Sequence, residues 1–273
     1  MPHERLDLQG LDAPLPPADE SLDEIGELSR AFARLHVRLR QQEEARRSFV
    51  ATASHELRTP LASLDGMLEL LADDLDSDPV DIDDARERIA RAKEQSRRLA
   101  NLASDLLDLS RIDAAIDLRS EPTELAELAR AVSAEFEMGA ESGGVRIDVE
   151  ATAPCWAQGD PGALAQIVRI LLDNALRVAP RDSSVRLSVA GGKRWVGLEV
   201  RDEGPGVPPE ERQLIFERFQ RGRGRGEGGG FGLGLTIGRE LARRMGGTLE
   251  LADSEVGAAF ELRLPAARIE VAS

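Results

Sequence analysis

Tyrosine is absent from this 273-residue chain, and aromatic residues of every kind make up only 3% of it. With Ala, Leu, Arg and Glu plentiful, the composition favours helices over an aromatic-rich β-sandwich. A single cysteine, Cys155, excludes an internal disulfide framework and a cysteine zinc cluster, which makes a reducing compartment the default. Beside Trp156 it reads as a core or half-buried residue. No apolar run reaches the ~18 residues needed to cross a bilayer, and no signal peptide is visible, so the chain as given reads as soluble. Positive charge is also scarce. Thirty-five Lys and Arg against 50 Asp and Glu leave a formal net charge of −15, which argues against general nucleic-acid binding because a phosphate backbone would repel it. The length suits two domains.

Residues 1–20 are rich in Pro and Asp, lack periodicity, and read as an extended lead-in. Ser21 with Glu24 fits a capping box. Leu28, Phe32, Leu35 and Leu39 then recur at steps of four, three and four; Gln42 and Arg46 interrupt the rhythm, and Phe49, Ala53 and Leu57 resume it. The spacing predicts one long helix to about Asp74, locally unwound near Gln42. From Leu57 the seam continues through Leu61, Leu64, Leu68, Leu71 and Leu75. A loop at 76–79 leads to a second helix, from about Asp81 to Ile112. Its seam runs Ile82, Ala85, Ile89, Ala92, Ser96, Leu99, Ala103, Leu106, Ser110. Two such helices joined by a short loop form an antiparallel hairpin. A single hairpin leaves its seam half covered, so the pattern predicts a four-helix bundle from two chains, a homodimer.

His55-Glu56-Leu57-Arg58-Thr59 followed by Pro60 is the most informative stretch. His55 lies two residues before the leucine seam, roughly 200° round the helix at ~100° per residue, so it should face solvent. Thr59 shares its face and Glu56 lies about a quarter turn away. An exposed imidazole beside a carboxylate is a nucleophile with a base next to it. Most exposed helical histidines are merely solvated; Pro60, at roughly 3 kcal/mol for a helix interior, breaks a local rule where function would explain it.

Beyond a linker from about Asp113 to Pro122 the pattern becomes mixed. Helices are expected at Glu124–Met138, Pro161–Val178 and Leu233–Met245. Strands are expected at Val145–Glu150, Val185–Val189, Val196–Arg201, Leu249–Leu251 and Ala259–Leu264, the two central ones paired across Gly191-Gly192. Helices with an apparently antiparallel sheet imply an α+β layer sandwich.

Three features of this part converge on a nucleotide. Asp202-Glu203-Gly204-Pro205-Gly206 follows a strand; its glycines admit a flat ligand and its carboxylate can accept from an exocyclic amine, although alone it reads equally as a β-turn. Gly228–Leu235, with Gly230, Gly232 and Gly234, leads into a helix whose free amides suit phosphate. It follows no strand and opens no βαβ unit, so a dinucleotide fingerprint fails its context; a flexible linker over Arg221–Gly230 or a hinged lid remain. Asn174 can offer a carbonyl oxygen to Mg²⁺, and Arg177, on the same face, can reach phosphate oxygens; both are otherwise ordinary solvated side chains.

In this order the motifs resemble those of a sensor histidine kinase of two-component signalling, over nearly the whole chain. Phe49–Pro60 resembles the H box, the residues around Asn174 the N box, Asp202–Gly206 the G1 box, Ile215–Phe219 the F box, and Gly230–Leu235 the G2 box. Asp23-Glu24-Ile25-Gly26 is similar to the second half of a HAMP domain, which implies the cytoplasmic part of a membrane receptor lacking its sensor. The resemblance implies the fold: an all-α antiparallel hairpin forming a dimeric four-helix bundle, then an α+β ATPase domain of the histidine kinase/chaperone type. Its expected divisions are a partial HAMP and signalling helix at 1–45, a phosphotransfer hairpin at 46–113, a linker at 114–122 and the ATP-binding domain at 123–268.

The resemblance also implies roles. His55 would accept the γ-phosphoryl group of ATP, Glu56 would act as base or orient the ring, and Thr59 would position water for dephosphorylating a partner. Asn174 would hold Mg²⁺, Arg177 would contact phosphates, Asp202 would bind the adenine amine, and Gly204 and Gly206 would shape its pocket. Gly230, Gly232, Gly234 and Leu235 would form the lid hinge. The partner would be the receiver domain of a response regulator. The final glycine box is thin, with Gly257-Ala258-Ala259-Phe260 where a Gly-x-Gly-Thr pattern is more usual, and two positions near Asn174 depart from the family pattern: Ile170 stands where a second asparagine is common, and Val178 where an aromatic is frequent. These departures leave open a degenerate dimeric scaffold. A chaperone or mismatch-repair type ATPase shares the nucleotide fold but has no hairpin carrying a histidine.

Overall fold

In a computed structural model the described residues are 24–76, 82–114, 117–151, 153–220 and 230–267. The expected cap at Ser21, most of the 76–79 loop and the segment 221–229 lie outside them. The chain divides into two units, Met1–Thr59 and Pro60–Ser273.

Helix α1, Glu24–Asp76, crosses that division. It runs uninterrupted through Gln42, so the expected unwinding does not occur. Helical hydrogen bonding is local to the backbone, and two polar residues in an apolar seam do not break it. Pro60 is accommodated inside the helix. In the first unit Leu28, Phe32, Leu35 and Leu39 are all exposed, leaving the expected seam bare.

The second unit begins with the rest of α1 and with α2, Ile82–Asp113. Asp74 and Arg88 form an ion pair at 2.5 Å that ties the two helices near their connection. Each helix has two apolar rows with a seven-residue step. One row is covered within the chain: Leu64 and Leu71 are half-buried, Ala85 and Ala92 are buried, and Leu99 and Leu106 are half-buried. The other faces solvent: Leu61, Leu68 and Leu75 are 52%, 48% and 57% exposed, and Ile82, Ile89, Ser96, Ala103 and Ser110 are exposed as well. Toward its C-terminus α2 also departs from the expected single seam. Leu102, Leu109 and Ile112, one helix face away, are buried, and α2 packs on α5 (Gly234–Arg244). That half of α2 serves a second neighbour, which a one-seam pattern cannot encode.

The remaining elements are β1 (Glu121–Glu124), α3 (Leu125–Gly143), β2 (Arg146–Ala151), β3 (Trp156–Gly159), α4 (Pro161–Val178), β4 (Ser184–Gly191), β5 (Trp195–Arg201), β6 (Thr248–Ala252) and β7 (Ala259–Pro265). Two 3-10 turns, Pro209–Glu211 and Leu214–Phe216, lie between β5 and α5. Strands order β2-β4-β5-β7-β6 in the main sheet. The β4–β5 hairpin pairs antiparallel as expected, but β2 and β4 are parallel, with β3 and α4 in the connection between them. Alternation reads burial, not direction, so the fully antiparallel expectation fails at this one pairing. Glu121–Glu124 pairs antiparallel with Trp156–Gly159, so the end of the expected linker belongs to the domain.

The sheet is apolar on one face: Val185, Leu187 and Val189, Val196, Leu198 and Val200, and Phe260, Leu262 and Leu264 are buried at every second position. Helix α4 buries Leu164, Ile167, Val168, Leu171, Leu172 and Ala175 on one stripe and contacts α3, α5 and the sheet. At roughly 1.5–3 kcal/mol per buried aliphatic side chain this layer supplies the domain's main cohesion. Its start is fixed by Asp160, which accepts from the Ala163 N–H at 3.0 Å, with Pro161 at the first helical position.

Glu124 is buried and uses both carboxylate oxygens: Oε2 accepts from the Glu127 N–H at 2.5 Å, capping α3, and Oε1 accepts from the Cys155 N–H at 2.8 Å. It joins β1, α3 and the entry to β3. Glu124→Ala should cost about 2 kcal/mol by orphaning two buried donors. The urea midpoint should fall accordingly, with Glu124→Gln intermediate, whereas an unchanged midpoint would deny the carboxylate this role.

Candidate active site

In the first unit, His55 projects from α1 into solvent with its side chain 76% exposed. Glu56 is more sheltered, at 25%, and its Oε1 lies 3.8 Å from His55 Nδ1. Thr59, one turn on, donates its hydroxyl to the His55 carbonyl oxygen at 3.4 Å. The imidazole therefore has one ring nitrogen facing a carboxylate and the other facing outward.

In the second unit, three glycine-bearing turns close on α4. A Cβ at Gly204 would meet the Val178 carbonyl oxygen at 2.9 Å, one at Gly230 would meet the Arg177 guanidinium at 2.9 Å, and one at Gly234 would meet Ile170 at 3.2 Å. Asp202 is 1% exposed; its Oδ1 accepts from the Gly204 N–H at 2.8 Å and the Ala258 N–H at 3.2 Å. Gly206 and Gly257 both have positive φ, 75° and 67°. A side chain at Gly257 would run into the Asp202 carbonyl at 1.9 Å, so glycine is required there. Gly257 and Ala258 thus hold the Asp202 turn, a role their short glycine signal only hinted at.

Phe219 and Gln220 meet Gly232 closely. Phe219, itself at φ 62°, donates its N–H to the Gly232 carbonyl at 2.9 Å, and Gly232, at φ 73°, lies so near Gln220 that a Cβ would sit 2.4 Å from its carbonyl oxygen. Phe216 anchors this stretch: it packs edge-on against Phe260 with centroids 6.2 Å apart, lies 4.9 Å from Arg239 across its ring, and accepts at its carbonyl from Thr236 at 2.9 Å.

A cavity of about 760 Å³ opens against α4. Asn174, Arg177, Gly230, Gly232, Gly234 and Leu235 all line it, which brings together most of the residues expected to bind a nucleotide. Asp202 and Gly204 do not line it, although Gly204 touches Val178 at the end of the same helix. Gly206 lines a second cavity of about 270 Å³, with Gly257 and Ala258. Ile170 lines the large cavity and packs on Gly234, which gives its departure from asparagine a physical reading: an apolar seat under the start of α5. Among the described residues no cluster of three His, Cys, Asp or Glu side chains could hold a metal ion.

Sequence reasoning missed one wall of this cavity. Asp105 and Asp108 of α2 line it too. Gln166 donates to Asp108 at 2.6 Å, and Arg177 is bonded to Asp173 one turn before it. Burial, with Asp108 and Asp173 adding to it, pushes the Asp105 carboxyl up to about 6, against an opposing pull from Arg177. No local pattern on α2 marks these residues, because their neighbours lie about 60 positions away.

The family models match in two blocks. Residues 45–115 match the His Kinase A (phospho-acceptor) domain, and residues 159–268 the histidine kinase-, DNA gyrase B-, and HSP90-like ATPase. The chain belongs to the sensor histidine kinases. Among its relatives is a signal transduction histidine-protein kinase/phosphatase, MprB, of Mycolicibacterium smegmatis, 33% identical over 90% of this chain and 51% of its own length. The chain thus spans about half the length of that curated relative. The histidine kinase ShkA, solved in complex with AMPPNP, is similar at 28% identity and a TM-score of 0.59 over 80% of this chain and 46% of ShkA. The histidine kinase ThkA, solved with the response regulator TrrA, shares the fold at 19% identity and a TM-score of 0.66, over 91% of this chain and 68% of that one. A helical hairpin followed by an ATPase domain of this type is thus the architecture of the family.

Asp105 ties this kinase's stability to pH. Its folded value, about 6, lies above the ordinary 3.8, so the native state is favoured by the protonated form. That stabilisation is complete below about 4 and lost as pH rises through 6. Asp105→Asn should therefore raise the denaturation midpoint at pH 7.5, by about 1–2 kcal/mol, with the difference shrinking toward pH 4. A pH-independent difference in urea titrations would contradict this account.

Proposed function

We propose that the chain is an ATP-dependent protein-histidine kinase that phosphorylates itself on His55 and passes the group to an aspartate of a response-regulator receiver domain, with dephosphorylation of that partner as a second activity. The observation that carries this reading is the convergence of Asn174, Arg177 and the Gly230–Gly234 turn on one cavity, in a chain that also presents His55 beside Glu56. The kinase/phosphatase named among its relatives supports the double activity.

The chemistry follows from the ring's two nitrogens. Glu56 lies on the Nδ1 side, which directs the lone pair of Nε2 outward. Nε2 attacks the γ-phosphorus of ATP, an N–P bond forms as the bond to the β-phosphate oxygen breaks, and ADP leaves. The imidazolium then yields its Nδ1 proton toward Glu56. Thr59 acts in the reverse hydrolytic sense by positioning water. Asp202 accepts from the adenine amine while its Oδ1 is held by Gly204 and Ala258. Gly206 keeps that turn open. Arg177 and the amides at Gly230, Gly232, Gly234 and Leu235 take the phosphates. Mg²⁺ held through Asn174 supplies charge neutralisation when bound.

The bare row of Leu61, Leu68, Leu75, Ile82 and Ile89 supports a homodimer, closing two hairpins into a four-helix bundle. The divisions at 1–45, 46–113, 114–122 and 123–268 remain our assignment, with the last starting two residues earlier to include all of β1. No helix among the described residues is long and apolar enough to cross a membrane. Attachment to one runs through segments preceding the HAMP-like stretch, with this part cytoplasmic.

Incubation with γ-labelled ATP and Mg²⁺ should give acid-labile, base-stable label. Label should vanish in His55→Ala and fall at least ~100-fold in rate in Glu56→Ala. Asn174→Ala should lose nucleotide affinity by calorimetry. Release of inorganic phosphate without labelling would favour an ATPase, and nucleotide inertness a scaffold, the reading to which Ile170 gives some weight. For the dimer, Leu68→Lys should shift the chain toward monomer in sedimentation; a monomeric wild type would exclude the bundle.

A further inference from the structure

We infer that docking of α2 against the ATPase domain and occupation of the α4 cavity oppose each other, with Asp105 as the residue that couples them. The inference rests on the reading of that cavity as the nucleotide site.

Three contacts hold α2 in place. Leu102, Leu109 and Ile112 are buried on the side that packs with α5. Gln166 donates to Asp108 at 2.6 Å. At the last residue of α2, Asp113 accepts a two-pronged bond from Arg218, at 2.8 and 3.3 Å. Together they set Asp105 opposite α4, where its charged neighbours are Asp108 and Asp173, with Arg177 as countercharge. Arg177 is already bonded to Asp173.

A polyphosphate in this cavity competes for the same guanidinium. Once Arg177 turns to phosphate, Asp105 keeps two like-charged neighbours, loses its countercharge and gains a third anion in a sheltered setting where such repulsion is weakly screened. The surface pair Asp113–Arg218 is too weak to resist that push. Nucleotide therefore releases α2, and by linkage a docked α2 weakens nucleotide binding by the same factor. Arg97 and Arg98, two turns earlier on α2, line the cavity as well and pull the other way.

The test is a cycle of variants in the full chain, with a non-hydrolysable ATP analogue and Mg²⁺ in calorimetry. Asp113→Ala, or Arg218→Ala as a second way of opening the latch, should tighten binding about threefold. In an Asp105→Asn background the same change should alter affinity by less than a factor of about 1.5. Hydrogen exchange supplies a direct reading: the analogue should speed exchange over residues 102–112 in wild type and leave it unaltered in Asp105→Asn. Unchanged or weaker binding in Asp113→Ala, equal tightening in both backgrounds, or slower exchange on α2 would each overturn the coupling. Loss of binding in Asn174→Ala together with a flat response to Asp113→Ala would sink the coupling alone. Absence of any binding by wild type would remove the nucleotide reading with it.

Discussion

The approach of three chain turns to one helix is the constraint on which the catalytic domain depends. Helix α4 meets Gly204 through Val178, Gly230 through Arg177 and Gly234 through Ile170, each at a distance where a Cβ would collide or press hard. At Gly204 the near atom is the Val178 carbonyl, which cannot step aside, so that glycine is a packing requirement; at Gly230 and Gly234 the neighbours are side chains that would have to shift. The same closeness brings Asn174, Arg177 and the glycines Gly230, Gly232 and Gly234 to one cavity. Rigidity comes from the buried stripe of α4 on the sheet, and specificity from what its opposite face carries. Function and stability therefore divide cleanly around a single helix.

The stalk follows a different logic. Its apolar rows are split between residues covered within the chain and residues left bare, as a structure with a missing half would require. Where α2 turns from the stalk toward α5, the buried positions shift from Ala85 and Ala92 to Leu102 and Leu109. Ala103 and Ser110, which continue the original seam, stay exposed. One helix thus serves two partners by rotating its apolar face. Its acidic residues sit at the handover.

Much of this was legible in the sequence, for reasons that can be named. Period decides helix and strand, so α1, α2, α4 and the β4–β5 hairpin could be read from local spacing. Outward projection of His55 followed from its offset to the leucine seam and needs no tertiary knowledge. What escaped is long-range. The parallel β2–β4 pairing, the two-residue β1 extension onto β3, and the meeting of Asp108 with Gln166 link positions whose separation in sequence carries no periodic trace. Gly257 lay between these cases: the glycine was visible, but its need, an Asp202 carbonyl oxygen that a Cβ there would meet at 1.9 Å, was not.

These differences bear on how such a kinase can be controlled. His55 is exposed, with Glu56 Oε1 3.8 Å from its Nδ1. On the function we propose, an imidazole so exposed is open to a γ-phosphate presented in line. Control must then lie in the presentation of phosphate. On the ATPase domain Arg177, the cation we propose to face phosphate, is the same group that tempers the charge of Asp105 and is bonded to Asp173. A single guanidinium cannot satisfy both sets of anions at full strength. On the coupling we infer, the competition for it makes the docking of α2 depend on what fills the cavity.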